Sequence, residues 1–279
     1  MRYKIADIII EIIADPAVNL ALLSIYQFDF EGKPHSKIYI RGCNEIKVEE
    51  DELLLDDDHK WYRTGSEGTM VCLNDQQTNE TLFRLDSNKT WENVTILFLQ
   101  SVKGIESFIA EHTCYIVFRI LILFHQGILL HSSSFIWNGK GVVVTAPSGT
   151  GKSTHVSLWE KYYKAKVLND DSPAIKMNGD KLVVYGIPWS GSTMKFVNAS
   201  APLTNIIVLE QAPENSIRRI DKEEATFKLM PRFILPYFDG SLMNSAVDMI
   251  SEIIEKTPVY LLRCRPDKGA ADLVAAAIR

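Results

Sequence analysis

The segment Val142-Val-Val-Thr-Ala-Pro-Ser-Gly-Thr-Gly-Lys-Ser-Thr154 carries the strongest structural signal in this sequence. An apolar β-branched run leads into a short loop containing Gly149 and Gly151, and Lys152 then opens an amphipathic stretch. Glycines allow backbone N–H groups to turn toward an anion, and a helix N-terminus adds a positive dipole end. The pattern therefore predicts a buried strand, a phosphate-binding loop and a helix over 152–162. Ala146 stands where such loops usually have a glycine.

The loop pattern assigns a role to each of its side chains. Lys152 is expected to reach the terminal phosphates of a nucleotide, and the Ser153 hydroxyl to ligate Mg²⁺. The predicted nucleotide contacts are Ser148, Gly149, Thr150, Gly151, Lys152, Ser153 and Thr154.

A second signal follows 18 residues after Lys152, where an apolar run from Lys166 ends on Asp170 and Asp171. Two carboxylates beside a phosphate-binding loop can divide two tasks, one binding Mg²⁺ and the other accepting a proton from an attacking hydroxyl. The alternative is that Asp-Asp-Ser-Pro is ordinary turn chemistry. His131 begins the strand ahead of Ser132 and is expected on the same rim as the loop.

Composition and charge narrow the class of protein. The 279 residues are 46% hydrophobic and 23% charged with net charge -5, so the chain has no general attraction to nucleic acid or anionic membranes. Its four cysteines form no CxxC pair or metal-spaced cluster, which favours free thiols in a reducing compartment. No signal peptide is recognised, and the apolar window 115–130 is interrupted by Arg119 and His125. We expect a cytoplasmic protein.

The pattern changes along the chain. Residues 1–100 form one predicted region of short antiparallel strands, for example 37–41 and 81–85, and residues 101–279 form a second. Residues 91–126 have near-helical apolar spacing and predict one long helix or two. Two hairpins are predicted at 132–145 and 174–185, the latter with a type I′ turn at Asn178-Gly179. The acidic segment 49–58 is expected to be a solvated loop or sheet edge, or else a docking surface for a basic peptide.

Together these motifs resemble the HPr kinase/phosphorylase family, whose phosphate-binding core is shared with phosphoenolpyruvate carboxykinases. His131 stands 21 residues before Lys152, the family's spacing, and Asp170-Asp171 match its paired aspartates. Residues 185–191, Tyr-Gly-Ile-Pro-Trp-Ser-Gly, match its glycine-containing loop. The resemblance implies an α/β fold with a mixed sheet, together with a smaller N-terminal α+β region.

The resemblance also implies an activity. Asp170 would be the general base that deprotonates a serine hydroxyl, with His131 tuning it, while Asp171 and Ser153 would hold Mg²⁺ beside ATP. Val183 and Tyr185 replace the family's glutamate and arginine, and no phosphate-driven dephosphorylation motif is present. With Gly-Ile-Pro-Trp-Ser-Gly at 186–191 and Pro-Val-Tyr-Leu-Leu-Arg-Cys-Arg-Pro-Asp at 258–267, the chain looks most like lasso-peptide precursor kinases, which phosphorylate a C-terminal serine. The resemblance therefore implies a precursor peptide as partner.

Phosphoryl transfer also requires a cation near the transferred group. Arg232 is the first candidate, since it lies in a Met-Pro-Arg-Phe segment between two predicted helices. The further candidates are Lys195, Arg263 and Arg265. Two other functions remain open from sequence: a small-metabolite kinase acting on a serine-like alcohol, and a nucleotide-binding switch module.

Overall fold

The computed structural model of the protein describes residues 1–49, 52–65, 68–191 and 193–278. The chain divides into two compact units. The first comprises Met1–Phe124 with Pro236–Met243, and the second comprises His125–Leu235 with the C-terminal segment from Asn244. The fold is mixed α/β, with one large mixed sheet in each unit.

The first unit is built on an eight-stranded sheet of order β1-β2-β3-β8-β7-β6-β5-β4. Its elements are β1 (Arg2–Ile5), β2 (Ile8–Ala14), a 3₁₀ helix (Ala21–Tyr26), β3 (Ser36–Cys43), β4 (Glu52–Asp56), β5 (Lys60–Thr64), β6 (Gly68–Asn74), β7 (Thr81–Ser87), β8 (Asn93–Leu99) and α1 (Ile105–Phe124).

Strand β3 corrects the prediction that this region pairs only in antiparallel fashion. The strands expected at 37–41 and 81–85 are present as β3 and β7, but β3 runs parallel to both of its neighbours, β2 and β8. Parallel neighbours need a crossover connection rather than a tight turn. The segment containing the 3₁₀ helix provides one between β2 and β3.

The helix predicted over 91–126 begins later than expected. Ile96 and Phe98 lie in β8, paired with β3 and β7, and their spacing of two residues puts both on the buried face of that strand, while Thr95 between Val94 and Ile96 is exposed. Helix α1 is long and apolar enough to cross a membrane by length and composition alone. Most of that apolar window is buried within the protein, as in a core helix.

Helix α1 belongs to the first unit, so the structure divides the chain after Phe124 rather than after residue 100. The helix packs on β8, and its Glu106 carbonyl accepts a hydrogen bond from Asn19 N at 3.4 Å. Farther along, His112 Nε2 lies 2.7 Å from Nε2 of His59. These contacts tie the helix to the strands that precede it.

Within the acidic segment 49–58, the described residues 52–56 lie at a sheet edge, as one of its interpretations predicted. Glu50 and Asp51 lie outside the described residues, and the following residues form the edge strand β4, paired only with β5 in the described chain. Leu53 is half exposed on this strand.

The second unit carries a nine-stranded sheet. Its strands are β9 (Gly127–Leu129), β10 (Ser132–Trp137), β11 (Lys140–Thr145), β12 (Lys166–Asn169), β13 (Ala174–Asn178), β14 (Lys181–Tyr185), β15 (Ser200–Gln211), β16 (Ser216–Arg219) and β17 (Val259–Cys264). The helices are α2 (Lys152–Tyr163), α3 (Lys222–Leu229), a 3₁₀ turn (Met230–Arg232), α4 (Gly240–Lys256), which starts in the segment of the first unit, and α5 (Lys268–Ala277).

Strand β15 joins the two parts of this sheet. Its first residues pair antiparallel with β14, and its later residues lie parallel between β11 and β17. The remaining order runs β12-β10-β11 on one side and β14-β13-β9 on the other. The strand before the glycine loop is therefore central, with paired neighbours on both sides.

Both predicted hairpins are present, but the turn of the second differs from the prediction. In the β10–β11 hairpin, Asn138 and Gly139 both have positive φ, 50° and 75°, as a type I′ turn requires. In the β13–β14 hairpin the paired residues are Asn178 and Lys181, so the central residues are Gly179 and Asp180. Only Gly179 has positive φ, which excludes the type I′ turn predicted there.

The hydrophobic core of the second unit includes the first residue of the glycine loop. Helices α2 and α5 contribute buried residues to one cluster with β10, β11, β15 and β17. Trp159 of α2 is fully buried and stacks on Phe135 of β10 with ring centroids 4.6 Å apart. Ala146 belongs to the same cluster, so the first residue of the loop is anchored in the core.

Candidate active site at the glycine loop

The loop between β11 and α2 has the backbone that its sequence predicts. Gly149 and Gly151 have φ of 74° and 108°, a region that strains other residues. Ala146 is not among the residues with positive φ, which explains why alanine is accepted there. Gly151 is the N-cap of α2 and no side chain caps the helix. The free N–H groups at that end are suited to bind an anion.

Lys152 is buried, and its ammonium group turns back onto the loop. Nζ donates to the carbonyls of Ala146 at 3.2 Å and Pro147 at 3.5 Å, and lies 3.1 Å from His131 Nε2. Burial lowers the pKa of Lys152; the Asp171 charge opposes this shift and the Arg232 charge adds to it. The loop thus encloses a cation at the position where phosphates are expected. Ser148, Ser153 and Thr154 are exposed around it.

His131 connects Lys152 to Asp171. Its Nδ1 lies 3.5 Å from Asp171 Oδ1, while Nε2 faces the Lys152 ammonium. An ammonium only donates hydrogen bonds, so Nε2 acts as the acceptor and Nδ1 carries the ring proton toward the carboxylate. Burial lowers the pKa of His131, and the Lys152 charge lowers it further. These contacts go to Asp171, which corrects the prediction that His131 tunes Asp170.

Strand register explains why residues distant in sequence meet at one edge. In the β10–β11 hairpin Ser132 is opposite Thr145, whose hydroxyl donates to the His131 carbonyl at 2.8 Å. On the other side of β10, Ser132 N donates to the Asp171 carbonyl at 2.7 Å. The Ser133 hydroxyl donates to the Asp170 carbonyl at 3.1 Å. These contacts bring His131, the glycine loop and the two aspartates to one edge of the sheet, which is the rim that the sequence predicted.

Asp170 lies under the loop that follows β14. Its side chain is buried; Oδ1 accepts a hydrogen bond from Gly191 N at 3.0 Å, and Oδ2 accepts one from the Thr193 hydroxyl. Burial raises the pKa of Asp170, the Gly191 N–H opposes this shift, and the nearby Asp171 charge adds to it. A raised pKa makes a carboxylate a stronger proton acceptor. No sequence signal identified Thr193 as its partner.

Asn169 positions the turn that contains the aspartates, although no sequence pattern singled it out. Its buried amide Nδ2 donates to the carbonyls of Ile187 at 2.9 Å and Trp189 at 2.7 Å. Its Oδ1 accepts from the backbone N–H groups of Asp171 and Ser172 at 2.9 and 2.8 Å. The side chain thereby joins the aspartate turn to the segment before Gly191. Its place directly before Asp-Asp, where a short amide can bond to the following turn, is the signal that could have revealed it.

We expect Asn169→Asp to lower the free energy of unfolding by about 3 kcal/mol, because a carboxylate cannot donate to the two carbonyls and adds a buried charge beside Asp170. Urea unfolding measures the change. Asn178→Asp, at an exposed position on β13, is the matched control and should stay close to wild type. Equal stability of the two variants would contradict the role given to Asn169.

Two of the four candidate cations act on the site: the Lys195 charge opposes the burial that raises the pKa of Asp170, and the second cation is Arg232. Its carbonyl accepts a hydrogen bond from His131 N at 2.8 Å, and its charge contributes to the lowered pKa of both His131 and Lys152. Lys195 is also paired with Glu160, and the remaining two pair with carboxylates elsewhere: Arg263 with Glu210 and Arg265 with Asp267.

The predicted magnesium ligands fit a metal that also binds phosphates. Ser153 and Asp171 offer hard oxygen atoms, and Mg²⁺ in nucleotide sites usually takes one or two protein ligands together with phosphates and water. Asp171 Oδ2 accepts a hydrogen bond from Ser172 Oγ at 2.8 Å, which fixes the carboxylate. The described residues contain no group of three or more His, Cys, Asp or Glu side chains able to hold a metal without such a ligand.

The fold and the rim define a mixed α/β protein with a glycine loop, a buried lysine and paired aspartates at one sheet edge. A family model described as "SynChlorMet cassette protein ScmC" matches residues 100–266, more than half of the chain. The chain belongs to this family. The matched segment contains the whole rim, from His131 through Arg232.

Similarity outside this family is distant. No curated protein matches the sequence. The solved structures that resemble it include the Hpr(Ser) kinase/phosphatase from Coxiella burnetii, with 13% identity over 54% of this chain and 88% of that chain. With a TM-score of 0.32, this likeness is too low to define either the fold or the reaction.

Proposed function

We propose that the protein is an ATP-dependent serine kinase that transfers the γ-phosphoryl group to a serine hydroxyl of a peptide. The C-terminal serine of a lasso-peptide precursor is the acceptor we favour. The observation that carries the proposal is a buried carboxylate with a raised pKa, Asp170, on the same rim as an uncapped helix N-terminus and the buried Lys152. A nucleotide switch requires phosphate and metal ligands but no such base.

The residues divide the work of transfer as follows. The backbone N–H groups of the loop and the Lys152 ammonium bind the β- and γ-phosphate oxygens and stabilise the charge that spreads over them. Asp170 accepts the proton of the acceptor hydroxyl while that oxygen bonds to the γ-phosphorus and the bond to ADP breaks. Ser153 and Asp171 would hold Mg²⁺, which neutralises phosphate charge when bound.

His131 acts on this rim through its neighbours. Its Nδ1–H is directed to Asp171 and its Nε2 to Lys152, so it fixes the metal-binding carboxylate and the phosphate-binding cation relative to each other. Because its pKa is lowered, the ring remains neutral near pH 7 and adds no charge beside Lys152. Arg232 supplies a second cation close to the transferred group.

The Thr193 hydroxyl occupies a position at Asp170 that the reaction requires. It donates to Oδ2 in the way that the acceptor hydroxyl must donate before transfer. An incoming serine therefore displaces Thr193 or uses the remaining lone pairs of Asp170. This makes the Gly191–Thr193 contacts part of acceptor binding.

The pH dependence of kcat/KM tests the base directly. Asp170 must be ionised to accept a proton, so the rate is retained above its raised pKa and lost as pH falls through it. Thr193→Val removes a hydrogen bond to the carboxylate, which raises the pKa again and moves the acidic limb to higher pH. Thr193→Ser keeps the hydroxyl and should retain the wild-type profile. An acidic limb unaffected by Thr193→Val would contradict the contact.

A panel of acceptors separates the peptide kinase from the other functions. We expect ADP release to be stimulated by a precursor peptide ending in serine and not by the same peptide ending in alanine. Stimulation by free serine alone would indicate a metabolite kinase. Slow hydrolysis that no acceptor changes would indicate a switch module.

A further inference from the structure

A cavity of about 580 Å³ opens beside the glycine loop, and the two aspartates are not among its lining residues. Its walls come from three places in the second unit: the loop with the first turn of α2, the end of β15, and the residues after β17. The lining residues are Gly149, Thr150, Gly151, Thr154, His155, Leu209, Gln211, Ala212, Cys264, Arg265 and Pro266. This volume is typical of small-molecule sites.

Most of the cavity wall is neutral near pH 7. His155 is buried and its Nε2 accepts a hydrogen bond from Trp159 Nε1 at 3.1 Å, which is the arrangement of a neutral imidazole. Burial raises the pKa of the Cys264 thiol to about 11, with Asp267 acting in the same direction, so the thiol stays protonated. With Leu209, Ala212 and Pro266 these groups form a surface that is more apolar than polar, which suits a flat uncharged ring better than an anion.

Two polar side chains complete the wall. Gln211 Nε2 donates to the Thr150 carbonyl at 3.2 Å, which joins β15 to the loop and leaves Oε1 available to accept a hydrogen bond. The Arg265 guanidinium is held by Asp267, with Nε 2.5 Å from Oδ2. A planar cation fixed in this way can stack on an aromatic ring.

We propose that this cavity binds the base and ribose of the nucleotide whose phosphates occupy the glycine loop. The inference rests on the proposed function and extends it, because it assigns the part of the nucleotide site that no sequence motif identified. The apolar wall and Arg265 receive a heteroaromatic base, and Gln211 Oε1 accepts from an exocyclic amino group such as that of adenine. Thr150 and Gly151 belong to the glycine loop and also line the cavity, so one ligand can contact the loop and the cavity together.

The test compares MgATP with inorganic tripolyphosphate, which has the phosphates and lacks the nucleoside. Isothermal titration should show that Ala212→Trp, which fills the cavity, weakens MgATP about 30-fold or more while tripolyphosphate changes by less than about twofold. Ala276→Trp, at an exposed position of α5, is the matched control and should bind both as wild type does. Retained tripolyphosphate binding also shows that the cavity variant is folded.

The outcomes separate this inference from the function on which it rests. The cavity assignment is overturned if Ala212→Trp binds MgATP as tightly as wild type does. It is also overturned if wild type binds MgATP no more tightly than tripolyphosphate. Either result leaves the assignment of the glycine loop to phosphates intact. Failure of wild type to bind either ligand overturns both.

The role of Gln211 has its own test. Inosine triphosphate carries an oxygen in place of the amino group of adenine. Wild type should favour MgATP over it about tenfold, and Gln211→Leu should lose that preference while keeping its affinity for tripolyphosphate. A preference retained by the variant would exclude Gln211 as the group that reads the base.

Discussion

Replacing Asp170 by asparagine should lower kcat about 10³-fold, because the amide cannot accept the proton of the acceptor hydroxyl. Asparagine has nearly the same shape and its Oδ1 can still accept from Gly191 N, so the rim should stay folded. ATP affinity should therefore remain within about threefold of wild type, since the proposed partner of Asp170 is the acceptor hydroxyl and not a phosphate.

Single-turnover transfer and ATP titration measure the two effects separately. Asp180→Asn, on the exposed β13–β14 turn, is the matched control and should keep full kcat. A variant at Asp170 with unchanged kcat would remove the general base from the mechanism. Equal losses in kcat and in ATP affinity would indicate that Asp170 binds nucleotide instead.

Lys152→Ala should lower kcat/KM for ATP about 10³-fold, with weaker ATP binding and slower transfer together. The ammonium is buried beside the loop, where it donates to the carbonyls of Ala146 and Pro147. Losing it removes charge stabilisation both in the complex and in the transition state.

The control for Lys152 lies on the same helix. Lys161→Ala removes an exposed lysine near the end of α2 and should leave both ATP binding and kcat unchanged. Thermal unfolding of the two variants checks that the helix persists. Wild-type turnover in Lys152→Ala would exclude the glycine loop as the phosphate site.

The parts of the rim that the sequence predicted are those fixed by local chemistry. The β11–loop–α2 segment follows from an apolar strand, two glycines and an amphipathic helix in direct succession, all of which are present. The β10–β11 hairpin follows from its Asn-Gly turn. Its register then sets His131 opposite the loop, so one short-range signal places two parts of the site.

The parts that were missed depend on pairing between distant segments. Ile96 and Phe98 stand at the start of the apolar run that predicts the helix, and pairing with β3 and β7 places them in a strand instead. Asn169 and Thr193 acquire their roles from a loop that returns to β12 after two further strands. A sequence pattern records spacing along one segment and does not specify which remote backbone groups a side chain meets.

The contacts of His131 likewise depend on pairing between distant segments. Sequence spacing placed the histidine on the correct rim, but its partner depended on which aspartate β10 presents to it. Ser132 N bonds to the Asp171 carbonyl, and the ring accordingly lies beside the Asp171 carboxylate. The two aspartates thus receive different surroundings, one buried under the Gly191 loop and the other joined to His131.

The most direct test of the central claim is transfer from ATP labelled with ³²P at either the γ or the α position, with Mg²⁺ and a precursor peptide ending in serine. We expect γ label, and not α label, to appear on the peptide with wild type and to be lost with Asp170→Asn. An unlabelled peptide, from wild type that binds ATP and is supplied with this acceptor, would contradict the assignment as a peptide serine kinase.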